Sequence, residues 1–304
     1  MHEGERTDDM YRLKSVIVGR SVLSACLIFL TLMGSCFAGD FHDDFTVVWS
    51  RENVIVDDAS RTVKLSMNEV AGASLASSDA FLFGSFSVKL KLIKGDSAGT
   101  VCSFYLTSYG SNHDEIDFEF LGNETGQPYV VHTNLFSNGV GGREQRMFLW
   151  FDPTESFHTY SVIWNHHQIL WTVDDTPIRL HRNMESVDSG SYPHKQPMVV
   201  AASIFDASTW ATRGGAVPTK WEHSPFVVDY KDFTFQGCKS SDNAMSTCTS
   251  NYQSNWWETP QFQTLDTNMT SQLRTIHHNY MVYDYCLDQR RYPIPPKECS
   301  YNQV

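Results

Sequence analysis

Residues 115–120 constrain the fold most, because acidic and apolar side chains alternate there without a break. Successive side chains of a β-strand point to opposite faces, so the alternation predicts a strand with two different surfaces. One surface carries an isoleucine and two phenylalanines and is suited to burial against a second layer. The other surface carries Glu115, Asp117 and Glu119.

The three acids have no basic residue between them. Like charges this close cannot all be ionised at neutral pH, so at least one pKa is expected to rise. A retaining glycosidase needs one carboxylate to attack the anomeric carbon and a second, protonated, to donate to the leaving oxygen. Residues 115 and 119 of a strand have Cα atoms roughly 13 Å apart, whereas the two carboxylates must approach to about 5–5.5 Å. Leaning side chains, strand curvature or a bulge would have to close that gap. A solvated acidic edge strand and a calcium site are the alternatives.

Further segments typical of strands lie between the N-terminal part and the acidic stretch. Residues 54–56, 62–65, 86–92 and 100–107 are rich in β-branched or alternating apolar side chains, and breaks containing Asp or Gly separate them. Aromatic residues make up 13% of the chain and charged residues 19%, which is enough to build a core and to line a groove with rings. These features predict one main all-β domain.

The sequence at 113–123, His-Asp-Glu-Ile-Asp-Phe-Glu-Phe-Leu-Gly-Asn, resembles the active-site strand of the plant xyloglucan endotransglucosylase/hydrolases of glycoside hydrolase family 16. The resemblance covers about 45–299. It implies a curved β-sandwich of jelly-roll, concanavalin-like topology. It also implies that Glu115 is the nucleophile, Asp117 its helper and Glu119 the acid/base.

The same resemblance implies a set of sugar-binding residues along the groove. These candidates are His132, Thr133, Asn134, Gly142, Arg143, Glu144, Arg146, Trp210, Ala211, Gly215 and Arg290. A core position is the alternative for Trp210, and a solvated surface charge is the alternative for Arg290. Phe205 stands where the family often has Trp, and its smaller ring offers less stacking area to a pyranose. The exact substrate therefore stays open at this point.

The chain changes character in its last quarter. Apolar residues between Leu273 and Tyr283 fall close to helical spacing, and the segment resembles the C-terminal extension of the same family, which lengthens the acceptor side of the groove. We predict a jelly-roll catalytic domain at 40–235 and a short extension containing a helix and two disulfides at 236–304.

Four of the seven cysteines lie in this last quarter. In a secreted chain they indicate two bridges, with three possible connectivities. Neighbour pairing, Cys238 with Cys248 and Cys286 with Cys299, is favoured, and the resemblance implies the same. Zinc is the competing interpretation, but the chain has no Cys-x-x-Cys pair and its histidines are scattered. Cys102 is expected to be a buried free thiol.

Residues 1–39 have the layout of a secretory signal peptide. The apolar run Val22–Met33 is shorter than the roughly 20 residues that span a bilayer, and small residues precede a cleavage point near Ala38 or Gly39. An uncleaved signal anchor is the alternative. Met10 is an alternative start, because beginning there removes every acidic residue from the region before the apolar run.

Several properties of the mature protein follow. Asn123 and Asn268 begin N-glycosylation sequons. The formal net charge of −12 argues against nucleic acid or an anionic membrane as a partner. We expect a secreted monomer of the cell wall and apoplast that needs no cofactor or metal and has no membrane attachment after signal cleavage.

The expected activity is cleavage of the β-1,4-glucan backbone of xyloglucan with retention, followed by transfer to another xyloglucan chain. Xyloglucan is then both donor and acceptor, and the reaction remodels the plant cell wall. No long insertion of the kind associated with hydrolytic members follows Trp210, which favours transfer. The alternatives are a predominantly hydrolytic xyloglucanase, a mixed-linkage glucanase, and a non-catalytic lectin, which would not need three aligned acids.

Overall fold

The computed structural model describes residues 41–240 and 248–302. The predicted signal peptide lies outside these residues. Within them, no helix is both long enough and apolar enough to cross a membrane.

The described residues form mainly β-strands, with one short helix before the first strand and further helices near the C-terminus. The strands are β1 (Phe45–Trp49), β2 (Val54–Asp57), β3 (Thr62–Met67), β4 (Ala73–Lys91), β5 (Thr100–Thr107), β6 (Glu115–Leu121), β7 (Val130–Phe136), β8 (Gln145–Phe148), β9 (His158–Trp164), β10 (Gln168–Val173), β11 (Thr176–Arg182), β12 (Met198–Asp206), β13 (Phe226–Lys239) and β14 (Met281–Asp284). The α-helices are α1 (Phe41–Asp44), α2 (Pro260–Gln263), α3 (Thr267–Tyr280) and α4 (Cys299–Asn302).

Strand β4 belongs to both layers of the fold. Its first half pairs with β1 and β12, and its second half pairs with β9 and β13. The crossing lies at Phe83 and Gly84, which both have positive φ angles. A Cβ on Gly84 would lie 2.5 Å from the Gln236 carbonyl oxygen, so a side chain there would prevent the close passage of β13.

The front layer follows the order β1, β4, β12, β5, β6, β7, β8 and β14, and the back layer contains β2, β3, β13, β4, β9, β10 and β11. Contacts between strands that are not neighbours show that the layers face each other. The rings of Phe120 and Tyr160 lie 4.7 Å apart, and the Tyr230 hydroxyl donates to the Ser103 carbonyl at 2.9 Å. The apolar face of β6 is fully buried between the layers. The predicted all-β sandwich is therefore confirmed.

Helix α3 of the C-terminal extension spans a different range from the predicted helical pattern, which ran from Leu273 to Tyr283. Asp266 caps α3 by accepting from the Met269 amide at 2.7 Å, and Leu273 packs against Leu170 and Leu180 of the back layer. The predicted helical pattern included Tyr283, but the helix ends at residue 280 and β14 begins. Strand β14 pairs with β8 at the edge of the sheet and so forms backbone hydrogen bonds to β8 that a helix could not form. The predicted domain boundary between 235 and 236 falls within β13, and the division itself stays a prediction.

Two disulfides join Cys238 to Cys248 and Cys286 to Cys299. This is the connectivity that neighbour pairing favours. Cys102 is a free, fully buried thiol, and its burial raises the pKa well above that of an ordinary cysteine.

Candidate active site

The three acids of β6 lie on the outward face of the front layer. Glu115, Asp117 and Glu119 are each paired across β5 and β7 with residues of the same face. Asp117 is only 5% exposed, and its carbonyl accepts from the Trp171 indole of the back layer at 3.1 Å. In the part of the chain that the structure describes, these acids do not converge into a group that could hold a metal ion.

Glu119 has the electrostatics of a proton donor. Burial raises its pKa to about 7, and the nearby charge of Glu115 acts in the same direction. Arg146 opposes this rise, and Glu144 adds to it more weakly. Glu119 can therefore hold a proton near neutral pH.

Asp117 and Glu115 behave as a hydrogen-bonded pair. Burial, followed by the charges of Glu115 and Glu119, raises the pKa of Asp117 well above its usual value. Burial also raises the pKa of Glu115, but hydrogen bonds from Thr107 and Asp117 favour its ionised form. Asp117 therefore carries the proton, and its hydroxyl donates a hydrogen bond to the ionised Glu115 carboxylate.

A line of side chains crosses the outward face from Glu119 to the edge of the sheet. The strand registers pair Glu119 with His132, His132 with Arg146, and Arg146 with Tyr283. We call these four residues the Glu119 row. The Arg146 guanidinium lies 5.4 Å from the centre of the Tyr283 ring, so the row ends in a stacked cation and aromatic ring.

His132 is neutral within this row. Burial, together with the charges of Arg146 and Arg179, lowers its pKa to about 3. Its Nδ1 lies 3.8 Å from a Glu119 carboxylate oxygen, which is too far for a hydrogen bond. Neither ring nitrogen has a partner among the described residues. Both nitrogens are buried beneath the surface of the row.

A cavity of about 430 Å³ opens beside the Glu119 row. Its floor is mainly apolar, with Leu121, Val130 and Phe148, and the predicted residues Arg146 and Ala211 line it. A cavity of this size and lining is large enough for one sugar residue of a polysaccharide backbone or side chain.

Two residues predicted as sugar contacts have side chains that face away from the groove. Thr133 lies on the opposite face of β7 from His132 and is fully buried, and its hydroxyl accepts from Arg179 at 2.9 Å. Arg143 turns away from the groove: its Nε donates to the buried carboxylate of Glu298 at 2.8 Å, and its Nη1 donates to the Val140 carbonyl. The two-residue period of a strand places Thr133 on the inner face, and a partner 155 residues away holds Arg143.

Residues of the C-terminal extension contact the predicted turn at Gly142 and Glu144. The Tyr292 hydroxyl donates to the Gly142 carbonyl at 2.8 Å, and a Cβ on Gly142 would lie 2.5 Å from that hydroxyl. Arg291 pairs with Glu144 at 2.6 Å. Asn134, although on the outward face, uses its side-chain oxygen to accept from the Arg143 amide at 3.1 Å.

The remaining predicted contacts differ in their positions. Trp210 is half-buried and lies edge-on to His132, with ring centres 6.1 Å apart, so it borders the row. Gly215 has a φ of +87° where a Cβ would overlap the Thr209 carbonyl, so it serves the turn. Arg290 is exposed, and its backbone amide donates to Asp288.

Sequence reasoning missed Tyr283 and Arg291 at the groove edge. Arg291 follows Arg290 directly, and nothing in an Arg-Arg pair says which member turns toward Glu144. Tyr283 was included in a helical pattern, which hid its strand register with Arg146.

The two predicted glycosylation sites lie in different surroundings. Asn123 lines the cavity and donates from its amide to the Pro128 carbonyl at 2.9 Å. Asn268 is exposed in the first turn of α3. Attachment of a glycan at either site stays a prediction.

Comparison with known proteins assigns the chain to a family. Residues 41–223 match the family model of glycosyl hydrolases family 16, and residues 251–299 match that of the xyloglucan endo-transglycosylase (XET) C-terminus. The chain is 42% identical over 290 residues to a probable xyloglucan endotransglucosylase/hydrolase protein 5 of Arabidopsis thaliana, with 93% of this chain and 98% of the relative covered. It is 45% identical over 261 residues to xyloglucan endotransglucosylase protein 2 of Diospyros kaki, with 86% and 87% covered.

Solved structures share the fold. The β-glucanase of Bacillus licheniformis superposes with a TM-score of 0.54 at 21% identity, over 66% of this chain and 95% of that one. The Crh5 transglycosylase gives 0.55 at 22% identity, over 66% and 82%. The sandwich is thus the jelly roll of these enzymes, as predicted. The chain belongs to glycosyl hydrolases family 16 and, within it, to the xyloglucan endotransglucosylase/hydrolases.

Proposed function

We propose that the protein cleaves the β-1,4-glucan backbone of xyloglucan by a retaining double displacement and transfers the cleaved chain to a second xyloglucan chain. The observation that carries this proposal is the outward face of β6, where one carboxyl group holds a proton near neutral pH and a second accepts a hydrogen bond. The names of the relatives support xyloglucan as both donor and acceptor.

In the first step Glu119 donates its proton to the glycosidic oxygen while Glu115 attacks the anomeric carbon. The bond to the leaving chain breaks, and an ester forms between Glu115 and the donor sugar. Asp117 holds the attacking oxygen in place through its hydrogen bond. Burial and neighbouring acids keep Asp117 protonated for this purpose.

In the second step the ionised Glu119 takes a proton from an incoming hydroxyl. That hydroxyl belongs either to an acceptor chain or to water, and its oxygen displaces Glu115 from the anomeric carbon. The Glu119 row and the cavity beside it bind the acceptor. The protein acts in the plant cell wall, as a secreted monomer glycosylated at Asn123.

Incubation with xyloglucan and a labelled xyloglucan oligosaccharide tests the proposal. Label that enters polymer indicates transfer, and new reducing ends without incorporation indicate a hydrolase. A mixed-linkage glucan as donor tests for a glucanase. Binding to the polymer without either reaction indicates a lectin and would overturn the enzymatic proposal.

The Glu115→Ala variant tests the nucleophile in the same assay. It should lose both transfer and hydrolysis while keeping its fold, because the carboxylate that forms the ester is missing. Glu155→Ala is the matched control, since Glu155 is an exposed glutamate paired with Lys94 outside the site. Appreciable turnover by a folded Glu115→Ala protein would remove this assignment.

A further inference from the structure

A second line of side chains leaves Glu119 in the direction opposite to the Glu119 row. The registers pair Glu119 with Ser103, Ser103 with Ser203, Ser203 with Ser74, and Ser74 with Trp49. We call the three serines and the tryptophan the serine row. Four strand spacings separate Glu119 from Trp49, or about 19 Å.

The serines keep this side of the groove low and polar. The hydroxyls of Ser103 and Ser203 hydrogen-bond at 2.6 Å, so neither projects freely into the groove. The Tyr105 side chain hydrogen-bonds to Ser74, so the three serines and this tyrosine form the surface between Glu119 and Trp49.

A β-bulge turns Trp49 toward the outward face. Val47 pairs with the buried Leu75, but the next register pair joins Trp49 to Ser74, so two residues of β1 oppose one of β4. Bulges of this kind redirect a side chain. Trp49 is 38% exposed and is absent from the main core cluster, which Val47 contacts.

The segment around Trp49 packs closely against the start of β4. A Cβ on Gly72 would overlap the Ile204 carbonyl and lie 3.1 Å from the indole, so the glycine makes room for the ring. Asn53 is buried just after the tryptophan and donates to the Ala71 and Gly72 carbonyls at 2.9 and 3.0 Å. These bonds tie the segment after Trp49 to the start of β4.

We infer that Trp49 is a stacking platform for a glucosyl ring of the donor chain, at the opposite end of the groove from Tyr283. This inference rests on the proposed function, because the C-terminal extension places the acceptor on the Tyr283 side and leaves the serine row to the donor. An extended β-1,4-glucan advances about one strand spacing per sugar, so the ring over Trp49 is about four units from the cleaved bond. The face of an indole suits the apolar face of a pyranose.

Binding by the Glu115→Ala protein tests the inference independently of turnover. Calorimetry would compare xyloglucan-derived oligosaccharides with a two-glucose and a five-glucose backbone. In the Glu115→Ala protein, the further substitution Trp49→Ala should weaken binding of the five-glucose ligand roughly five- to tenfold. It should leave the affinity for the two-glucose ligand unchanged. Trp49→Phe should restore part of the affinity. Trp256→Ala is the matched control, because Trp256 has a similar exposure of 39% but contacts Trp257 and Phe262 in the C-terminal part.

Equal weakening for both lengths would show that Trp49 only supports the fold, and no weakening for the longer ligand would show that it does not contact the donor. Either result overturns the inference. Failure of the wild-type protein to cleave or transfer xyloglucan would instead contradict the proposed function, and a length-dependent loss of binding would still support Trp49 as a platform.

Discussion

Two charges of opposite sign act on Glu119 from neighbouring positions of the front layer. Arg146 favours the ionised carboxylate and Glu144 disfavours it, while burial and Glu115 raise the pKa most strongly. The acid step needs protonated Glu119, so activity should fall as pH rises through about 7. It should also fall at low pH, because Glu115 must be ionised and its pKa is raised as well. A bell-shaped dependence follows.

Removal of the Arg146 charge and removal of the Glu144 charge should move the high-pH limb of the activity profile in opposite directions. Arg146→Met removes a cation, so the pKa of Glu119 rises and the limb moves to higher pH. Glu144→Gln removes an anion, so the pKa falls and the limb moves to lower pH. The pH dependence of kcat/KM reports these values for the free enzyme. Lys94→Met, at an exposed site elsewhere, should leave the limb in place, and movement of both variants in one direction would contradict the assignment of Glu119.

At the scale of elements, a buried polar chain ties the C-terminal extension to the front layer. Glu298, 2% exposed, pairs with Arg143 at 2.8 Å, and the Arg143 carbonyl accepts from Arg179 at 2.6 Å. Arg179 is fully buried and also donates to Thr133 on the inner face of β7. The extension therefore contributes to the packing behind the site as well as to the groove.

Loss of the Glu298 charge should destabilise the protein strongly. Glu298→Gln keeps the shape of the side chain but leaves Arg143 as an uncompensated buried cation, which costs about 3–5 kcal/mol. Urea unfolding measures the change in the free energy of unfolding. Glu155→Gln, which removes half of an exposed pair with Lys94, should leave that free energy unchanged. Similar values for both variants would show that the buried pair is not a structural link.

The elements that could be predicted are those whose side chains alternate clearly. Strand β6 shows a strict alternation because water lies on one side and the core on the other. The first half of β4 is rich in Ser and Ala, which carry little strand preference, so it was not predicted. Arg143 and Tyr283 could not be placed from sequence, because their positions depend on partners that the fold brings from far along the chain.

At the scale of the whole molecule, the serine row and the Glu119 row form one line that crosses the front layer from β1 to β14. Its two ends act on different steps of the proposed reaction. The donor end contributes before the covalent intermediate forms, so weaker donor binding slows transfer and hydrolysis alike. The acceptor end acts afterwards, where an acceptor hydroxyl competes with water for the same intermediate. Only changes at the acceptor end should alter the ratio of transfer to hydrolysis.

Arg291 offers a test of this division, with Arg290 as its neighbour and control. Arg291 holds Glu144 at 2.6 Å and hydrogen-bonds to Tyr283, the last residue of the Glu119 row. Arg291→Ala should loosen that end, lower acceptor affinity and reduce the ratio of labelled product to reducing ends roughly three- to tenfold. Arg290→Ala should leave the ratio unchanged, and so should Trp49→Ala, although the latter lowers both rates on long donors. If Arg291→Ala reduced hydrolysis as much as transfer, the acceptor end would not control the competition with water.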